Sequence, residues 1–202
     1  MMSSEFYKPR KLAPTISFMP PKTIALVGLM GCGKTSIGRR LAKRLELPFY
    51  DSDQEVEIAA GCSMKEMCAV FGEEAMKSGE RRVIARLLDQ QPHVLATGGG
   101  SVLEEETRAL LKEKSITVWL NADLETLIMR ISRRNDRFMG KEGTQQEVIE
   151  TLIAQCYPVY EQSDIIVKTF DEATNSTVDR VIQSISDFVK QNYPNHYVLK
   201  SI

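Results

Sequence analysis

Residues 28–35 read GLMGCGKT, which fits the pattern G-x-x-x-x-G-K-[ST] of a phosphate-binding loop. In such a loop the glycines let backbone N–H groups surround phosphate oxygens, Lys34 neutralises phosphate charge, and the Thr35 hydroxyl ligates magnesium. Cys32 has two open interpretations, a small filler or a thiol made reactive by the helix N-terminus. We predict that the nucleotide contacts Gly28, Gly31, Cys32, Gly33, Lys34, Thr35 and Ser36.

The nucleotide is expected to be ATP, because the sequence contains no N-K-x-D motif of the guanine-specific type. An apolar strand ending in a single aspartate, which motor and helicase ATPases place at a later strand, is also absent just before residue 98. These two observations favour a small-molecule kinase among the phosphate-loop proteins.

Two further polar clusters follow apolar runs. Asp51 and Asp53 are two residues apart, so one carboxylate can face the metal while the other reaches the acceptor hydroxyl. The alternative for Asp53 is the N-cap of a helix beginning near Gln54. Residues 98–100 are three glycines, which either bring backbone close to a ligand or form a flexible turn.

Short apolar runs alternate with helical patterns along the chain, which predicts an α/β fold with a parallel sheet covered by helices on both faces. In such a sheet, ligands bind beyond the carboxyl ends of the strands. The three clusters all follow predicted strands and should therefore meet at one site. The predicted strands are 23–27, 47–50, 93–97, 116–120 and 164–168. The first predicted helix begins near Lys34. The other predicted helices cover 54–90 (with breaks near Gly61 and Gly72), 104–112, 123–133, 146–160 and 176–191.

Composition excludes several classes of protein. The chain has 202 residues and a formal net charge of -1, without the basic excess of a nucleic-acid binder. No apolar run approaches the ~20 residues of a membrane span. The four cysteines form no C-x-x-C pair, so we expect neither a zinc site nor disulfides, and a cytoplasmic location. We expect one domain over 23–192 with tails at 1–22 and 193–202.

Taken together, six segments resemble the shikimate kinase family: GLMGCGKTSIGRRLA, FYDSDQEVE, GEEAMKSGERRVI, VLATGGGSV, the DR at 136–137, and YPVYEQSDIIV. The resemblance covers about residues 23–168. It implies the three-layer αβα fold of the nucleoside monophosphate kinases, with a five-stranded parallel sheet of order 2-3-1-4-5. It also implies a monomer that uses ATP and Mg²⁺ to phosphorylate the 3-hydroxyl of shikimate, on the route to chorismate and the aromatic amino acids.

The resemblance also implies roles for individual residues. Asp51 would hold magnesium with Thr35, and Asp53 would bind the acceptor hydroxyl and act as its base. The acceptor pocket would be lined by Gly98, Gly99 and Gly100, and covered by a helical acceptor segment at about 54–90. A lid at 136–145 would carry Arg137 to phosphate and substrate, and Arg133 or Arg134 would lie against the adenine. The catalytic set is therefore Lys34, Asp53 and Arg137.

The sequence departs from the family pattern on the acceptor side. Lys77 stands where the family has the arginine of F-R-x-x-E, and Cys156 where it has the arginine of R-x-P-x-Y; the lid reads RFM instead of R-P-L. Both positions are expected to face the acceptor. Lysine keeps the charge but loses the planar fork that grips a carboxylate, and cysteine loses the charge. Arg81 is a candidate to compensate, or else a solvated helix charge, and Arg82 and Lys141 are further candidates.

These departures leave three hypotheses. The first is a shikimate kinase with a modified carboxylate clamp. The second is a kinase for another small polyol or hydroxy acid, because a fold does not determine its substrate. The third is a catalytically silent nucleotide-binding protein that acts through partner binding, against which intact Lys34, Asp53 and Arg137 argue.

Overall fold

The computed structural model describes residues 19–133 and 144–196. Five parallel strands form one sheet in the order β2-β3-β1-β4-β5. This order and the three-layer αβα architecture confirm the predicted fold. The strands are β1 (Thr23–Val27), β2 (Phe49–Asp51), β3 (Val94–Ala96), β4 (Ser115–Ala122) and β5 (Ile165–Thr169).

β1 occupies the centre of the sheet, and its sequence TIALV shows why. Every residue of the strand is buried, and the run has no polar alternation, as expected for a strand covered on both faces. β1 pairs with β3 through Ile24–Val94 and with β4 through Thr23–Ser115. The phosphate-loop residues therefore leave the sheet from its middle, between the ends of β3 and β4.

Within residues 19–133 and 144–196, seven α-helices connect and cover the strands. α1 packs on α7, α3 on α4, and α5 on α6. The helices are α1 (Lys34–Leu45), α2 (Ser52–Ala60), α3 (Met64–Leu88), α4 (Glu105–Lys114), α5 (Leu124–Arg133), α6 (Gln145–Tyr160) and α7 (Thr174–Asn192), with short 3₁₀ turns at Ser101–Leu103 and Pro194–His196.

The predicted elements match the observed ones with small shifts at their ends. The ends move by at most a few residues; the second strand, for example, covers Phe49–Asp51 rather than 47–50. The predicted breaks in the segment 54–90 are confirmed, since α2 ends at Ala60 with Gly61 as its C-cap, and Gly72 interrupts α3 with φ 85°. The N-cap interpretation of Asp53 is wrong, because α2 already begins at Ser52 and Asp51 holds the N-cap position.

The predicted lid, 136–145, overlaps the start of α6. Thr144 is the N-cap of that helix, and its hydroxyl and the Glu147 carboxylate form a reciprocal capping box. Residue 144 therefore caps the helix and residue 145 begins it, and the rest of the predicted lid lies outside the described residues. Among the described helices, none is both long and apolar enough to cross a bilayer.

Candidate active site

The phosphate loop links the end of β1 to the start of α1, and its glycines adopt conformations that other residues rarely adopt. Gly28, Gly31 and Gly33 have φ values of 138°, 83° and 104°. Between them, the Cys32 side chain points into the core with 1% of its surface exposed. Burial favours the filler interpretation of Cys32 over a reactive thiol.

Lys34 lies inside the curl of this loop. Its ammonium donates hydrogen bonds to the carbonyl oxygens of Gly28 at 2.7 Å and Leu29 at 3.1 Å. The charge is thereby held on the concave side of the loop, the position from which it would neutralise phosphate oxygens.

Thr35, in the first turn of α1, contacts Asp51, the last residue of β2. The Thr35 hydroxyl donates to Oδ2 of Asp51 at 2.7 Å. A hydroxyl and a carboxylate side by side are hard oxygen ligands of the kind that Mg²⁺ uses together with phosphate and water. The described residues contain no cluster of three potential metal-binding side chains, so phosphate and water would have to complete such a site.

Asp53 and the glycine turn, residues 98–100, form the facing wall. Asp53 Oδ1 lies 2.7 Å from the position that a Cβ on Gly98 would take. Asp53 and Gly99 line a cavity of about 160 Å³ that opens between the phosphate loop and the first turn of α2. Its lining residues are Met30, Gly31, Gly33, Lys34, Thr35, Asp51, Asp53, Thr97, Gly99 and Ile131.

The environment of Asp53 raises the pKa of its carboxyl group to about 6. Partial desolvation at the cavity wall is the largest cause, and the nearby carboxylates of Glu80 and Asp51 add to it, while Lys34 acts in the opposite direction. Although its tip remains open to the cavity, the group therefore holds a proton more tightly than a surface aspartate does. A carboxylate with a pKa near 6 is suited to accept a proton at neutral pH.

A buried polar network holds the glycine turn against α2 and α3. The Gly98 N–H donates to the Ser52 hydroxyl at 2.9 Å, and the Ser101 hydroxyl donates to the Gly98 carbonyl at 3.0 Å. Both serines also hydrogen-bond to Oε1 of Glu80, a carboxylate that is only 9% exposed. The Glu80 network thus connects the acceptor segment with the turn that it is predicted to cover.

A second cavity, of about 280 Å³, lies on the opposite side of the phosphate loop and shares Gly31 and Gly33 with the first. Ser36 also lines this cavity. At its wall, Arg130 donates to the Cys32 carbonyl at 3.0 Å and to the Phe170 carbonyl. Arg130 therefore joins the phosphate loop to the turn after β5.

The two acceptor-side departures lie in different environments. The Lys77 ammonium pairs with Glu73 at 3.0 Å and with Glu104 at 3.6 Å, close to the glycine turn, and Glu73 is the main reason that the pKa of Lys77 is raised. Cys156 lies on α6 in the hydrophobic core and is 1% exposed. A side chain this enclosed offers an acceptor no surface, which corrects the expectation that position 156 lines the pocket.

The remaining predicted residues are distributed as follows. The structure brings Lys34, Thr35, Asp51, Asp53 and Gly99 to one cavity. Gly98 is buried directly behind its wall, and Gly100 is exposed at the end of the turn. Arg134 and Arg137 lie outside the described residues.

Sequence patterns missed three residues that shape the site: Ser52, Glu80 and Arg130. Ser52 and Glu80 lie far apart in the chain and meet only through the fold. Arg130 was one of several arginines at the end of α5, and spacing alone did not separate it from Arg133, which forms an exposed pair with Asp171.

Together, the parallel sheet, the phosphate loop and the facing carboxylate define a phosphate-loop kinase for small molecules. The family model described as shikimate kinase matches residues 30–186. The chain belongs to the shikimate kinase family, and it is an ATP-dependent phosphotransferase.

Individual relatives agree with this family assignment. A shikimate kinase of Paramagnetospirillum magneticum is 47% identical over 179 residues, which cover 89% of this chain and 92% of the relative. A shikimate kinase of Caulobacter vibrioides is 50% identical, covering 81% and 82%. Among solved structures, shikimate kinase from Acinetobacter baumannii in complex with shikimate matches with a TM-score of 0.77 and 30% identity, covering 82% of this chain and 93% of that one.

Proposed function

We propose that the protein transfers the γ-phosphoryl group of ATP to the 3-hydroxyl of shikimate, giving shikimate 3-phosphate and ADP for the synthesis of chorismate and the aromatic amino acids. One observation carries the proposal: Asp53 and Gly99 line the same cavity as Lys34 of the phosphate loop. A proton acceptor, a close backbone wall and a phosphate-neutralising charge therefore surround one space. This is the arrangement that phosphoryl transfer to a hydroxyl requires.

In the proposed reaction, the phosphate loop binds the β- and γ-phosphates through its backbone N–H groups and Lys34. The acceptor hydroxyl lies between the γ-phosphorus and Asp53. As the bond from this hydroxyl oxygen to phosphorus forms and the bond to the β–γ bridging oxygen breaks, the hydroxyl proton passes to Asp53. Thr35 and Asp51 would hold Mg²⁺, which supplies charge neutralisation on the phosphates when bound.

The acceptor carboxylate would be recognised by Lys77, the positive charge that remains where the family pattern has a pair of arginines. This assignment rests on the closeness of Lys77 to Glu104, four residues after the glycine turn. Arg137 would carry charge from the lid to the transferring phosphoryl group, and Arg134 would lie against the adenine. We further propose a cytoplasmic monomer that binds neither nucleic acid nor membrane; size-exclusion chromatography tests the monomer.

The test is the rate of ADP release from purified protein with ATP and Mg²⁺, with shikimate, quinate or gluconate as acceptor. We expect turnover with shikimate, and a loss of about 10²- to 10⁴-fold in the Asp53→Asn variant, the range for removing a general base. ATP binding should survive in this variant.

Faster turnover with gluconate than with shikimate would instead support a kinase for another hydroxy acid. Retained ATP binding without turnover of any acceptor would support the silent nucleotide-binding hypothesis. A rate that is unchanged in Asp53→Asn would refute the proposed role of Asp53.

A further inference from the structure

The glycine turn is held at two points by two different parts of the molecule. At Gly98 the Glu80 network fixes the turn from the side of α2 and α3. At Gly99 the carbonyl oxygen accepts a hydrogen bond from the hydroxyl of Tyr160, the last residue of α6. The second contact spans 61 residues of sequence and comes from the other half of the sheet.

Tyr160 is placed to hold this contact firmly. Its side chain is 1% exposed, and its ring lies against Trp119 with centroids 5.9 Å apart. Burial raises the pKa of the Tyr160 hydroxyl far above its usual range, so the group keeps its proton and acts as a donor at neutral pH. A fixed ring with a protonated hydroxyl sets the position of the carbonyl to which it donates.

The position of Gly99 matters because the residue lies between both halves of the site. A Cβ on Gly99 would be 3.4 Å from the backbone nitrogen of Met30 in the phosphate loop. The preceding residue, Gly98, is in contact range of the Asp53 carboxylate. A shift of the Gly99 carbonyl therefore changes the width of the cavity between the phosphate loop and Asp53.

We infer that Tyr160 is a positioning residue for the acceptor, acting through the Gly99 carbonyl without touching the substrate. The inference rests on the proposed function, in which the glycine turn forms the acceptor wall. It assigns the Tyr160 hydroxyl a role separate from the packing of its ring. Removing the hydroxyl alone is therefore expected to alter acceptor binding more than nucleotide binding.

Tyr157 provides a matched control on the same helix. Its ring also packs on Trp119, at 4.9 Å, and its hydroxyl donates to the carbonyl oxygen of Ala122 at the end of β4. Tyr157→Phe therefore deletes the same chemical group, next to the same tryptophan, without a contact to the glycine turn. The two variants differ in which backbone carbonyl loses its donor, and Tyr160→Phe also removes the hydrogen bond between the Tyr160 hydroxyl and Cys156.

The experiment compares Tyr160→Phe, Tyr157→Phe and the unaltered protein in steady-state kinetics with ATP and shikimate both varied. In Tyr160→Phe we expect the KM for shikimate to rise about threefold to tenfold, the effect of losing one neutral hydrogen bond. The KM for ATP should stay within about twofold, and Tyr157→Phe should leave the KM for shikimate within about twofold. Unchanged shikimate KM in Tyr160→Phe, or an equal rise in both variants, would overturn the inference.

Amide hydrogen exchange of residues 97–101 adds a readout that does not depend on turnover. Without ligands, we expect faster exchange there in Tyr160→Phe than in Tyr157→Phe, because the turn loses the hydrogen bond to the Gly99 carbonyl. Equal exchange in the two variants would contradict the inference. If the unaltered protein fails to turn over shikimate while the exchange difference is present, the proposed function fails, and with it the acceptor role of Tyr160.

Discussion

The phosphate loop and the glycine turn face the same cavity, and both are rich in glycine, but their glycines serve different needs. All three glycines of the phosphate loop have positive φ values, from 83° to 138°. The three glycines of the turn, which lie within the described residues, have no positive φ values. The phosphate loop thus needs glycine for its backbone conformation. At Gly98 of the turn the need is for space, since a Cβ there would overlap the Glu80 carboxylate and lie 2.7 Å from Asp53.

The difference teaches how each half of the site is maintained. The phosphate loop is shaped by its own backbone and anchored by the buried Cys32. The acceptor side depends on side chains that come from α2, α3 and α6, including Ser52, Glu80 and Tyr160. Substitutions on the acceptor side should therefore change acceptor recognition while leaving nucleotide binding largely intact.

The strongest test of this comparison is Gly98→Ala. The added methyl group would press on the oxygens of Glu80, Asp53 and Ser101, all within 2.9 Å. Overpacking of this kind costs about 1–3 kcal/mol, so we expect kcat/KM for shikimate to fall by about tenfold to a hundredfold. The KM for ATP should change by less than about threefold.

Gly100→Ala is the matched variant, because its added methyl group would meet no atom of the described residues within 4 Å, apart from its chain neighbours, and its φ is -98°. Here we expect kcat/KM to change by less than about threefold. Equal losses in the two variants would show that the turn needs flexibility rather than space at Gly98. The comparison between the two glycine clusters would then fail.

The next effect concerns Arg130 on the nucleotide side. Arg130→Ala removes two hydrogen bonds from a guanidinium that connects the Cys32 and Phe170 carbonyls. Hydrogen bonds to charged groups contribute about 1.5–3 kcal/mol each, so we expect the KM for ATP to rise at least about tenfold. The KM for shikimate should change far less.

Arg44→Ala serves as its control, because Arg44 lies near the end of α1 and lines neither cavity. Arg44 pairs with Asp179 on α7, and its side chain is 46% exposed. Exposed pairs contribute about 0–1 kcal/mol, and the KM for ATP should stay within about threefold. If the two variants raise the KM for ATP equally, Arg130 does not organise the phosphate loop.

A smaller effect is expected at Lys77, since its charge is already shared with Glu73 and Glu104. Lys77→Ala should raise the KM for shikimate by about threefold to tenfold, less than for an unshared charged hydrogen bond. The KM for ATP should not change. Arg81→Ala, whose side chain pairs with Glu106 on α4, should change neither value by more than about twofold. A larger effect of Arg81→Ala would make Arg81 the compensating charge.

Local patterns are enough to predict a parallel sheet and the phosphate loop, whereas the strand order follows only from the resemblance to the shikimate kinase family. The run TIALV is buried throughout and apolar after Thr23, and the glycine pattern that follows it depends on backbone conformation within eight residues. Asp51 and Asp53 were placed by their position after a strand. Fold-dependent contacts were not predictable in the same way, because Tyr160 and Gly99 are 61 residues apart and the sequence does not indicate which carbonyl a tyrosine reaches.

Cys156 illustrates the opposite error. Its alignment with a substrate-binding arginine suggested that the side chain faces the acceptor, but a small apolar thiol can be buried where a guanidinium would have to reach solvent. The change from arginine to cysteine thus alters where the side chain lies as well as its charge. A motif position therefore predicts the location of the backbone better than it predicts the contacts of a substituted side chain.

The smallest predicted effect is on stability, and it follows from the titration of the Asp53 carboxyl group. The pKa of this carboxyl is about 6 in the folded protein and near 3.8 when unfolded, so the folded state binds the proton more tightly. The resulting stabilisation is complete below about pH 4 and is lost as pH rises through 6. At pH 8 the ionised carboxylate opposes folding, and Asp53→Asn removes that opposition.

We therefore expect Asp53→Asn to have a higher Tm than the unaltered protein at pH 8, by about 1–2 °C, because the cavity is open to water and the effect is screened. The difference should shrink as pH falls through 6 and vanish near pH 4, measured by calorimetry without ligands. Asp51→Asn, which loses a hydrogen bond from Thr35, should not gain stability. A higher Tm in the catalytically impaired variant would indicate that the environment that raises the pKa of Asp53 also lowers the stability of the folded protein. Equal Tm values at pH 8 would place the pKa of Asp53 near its ordinary value.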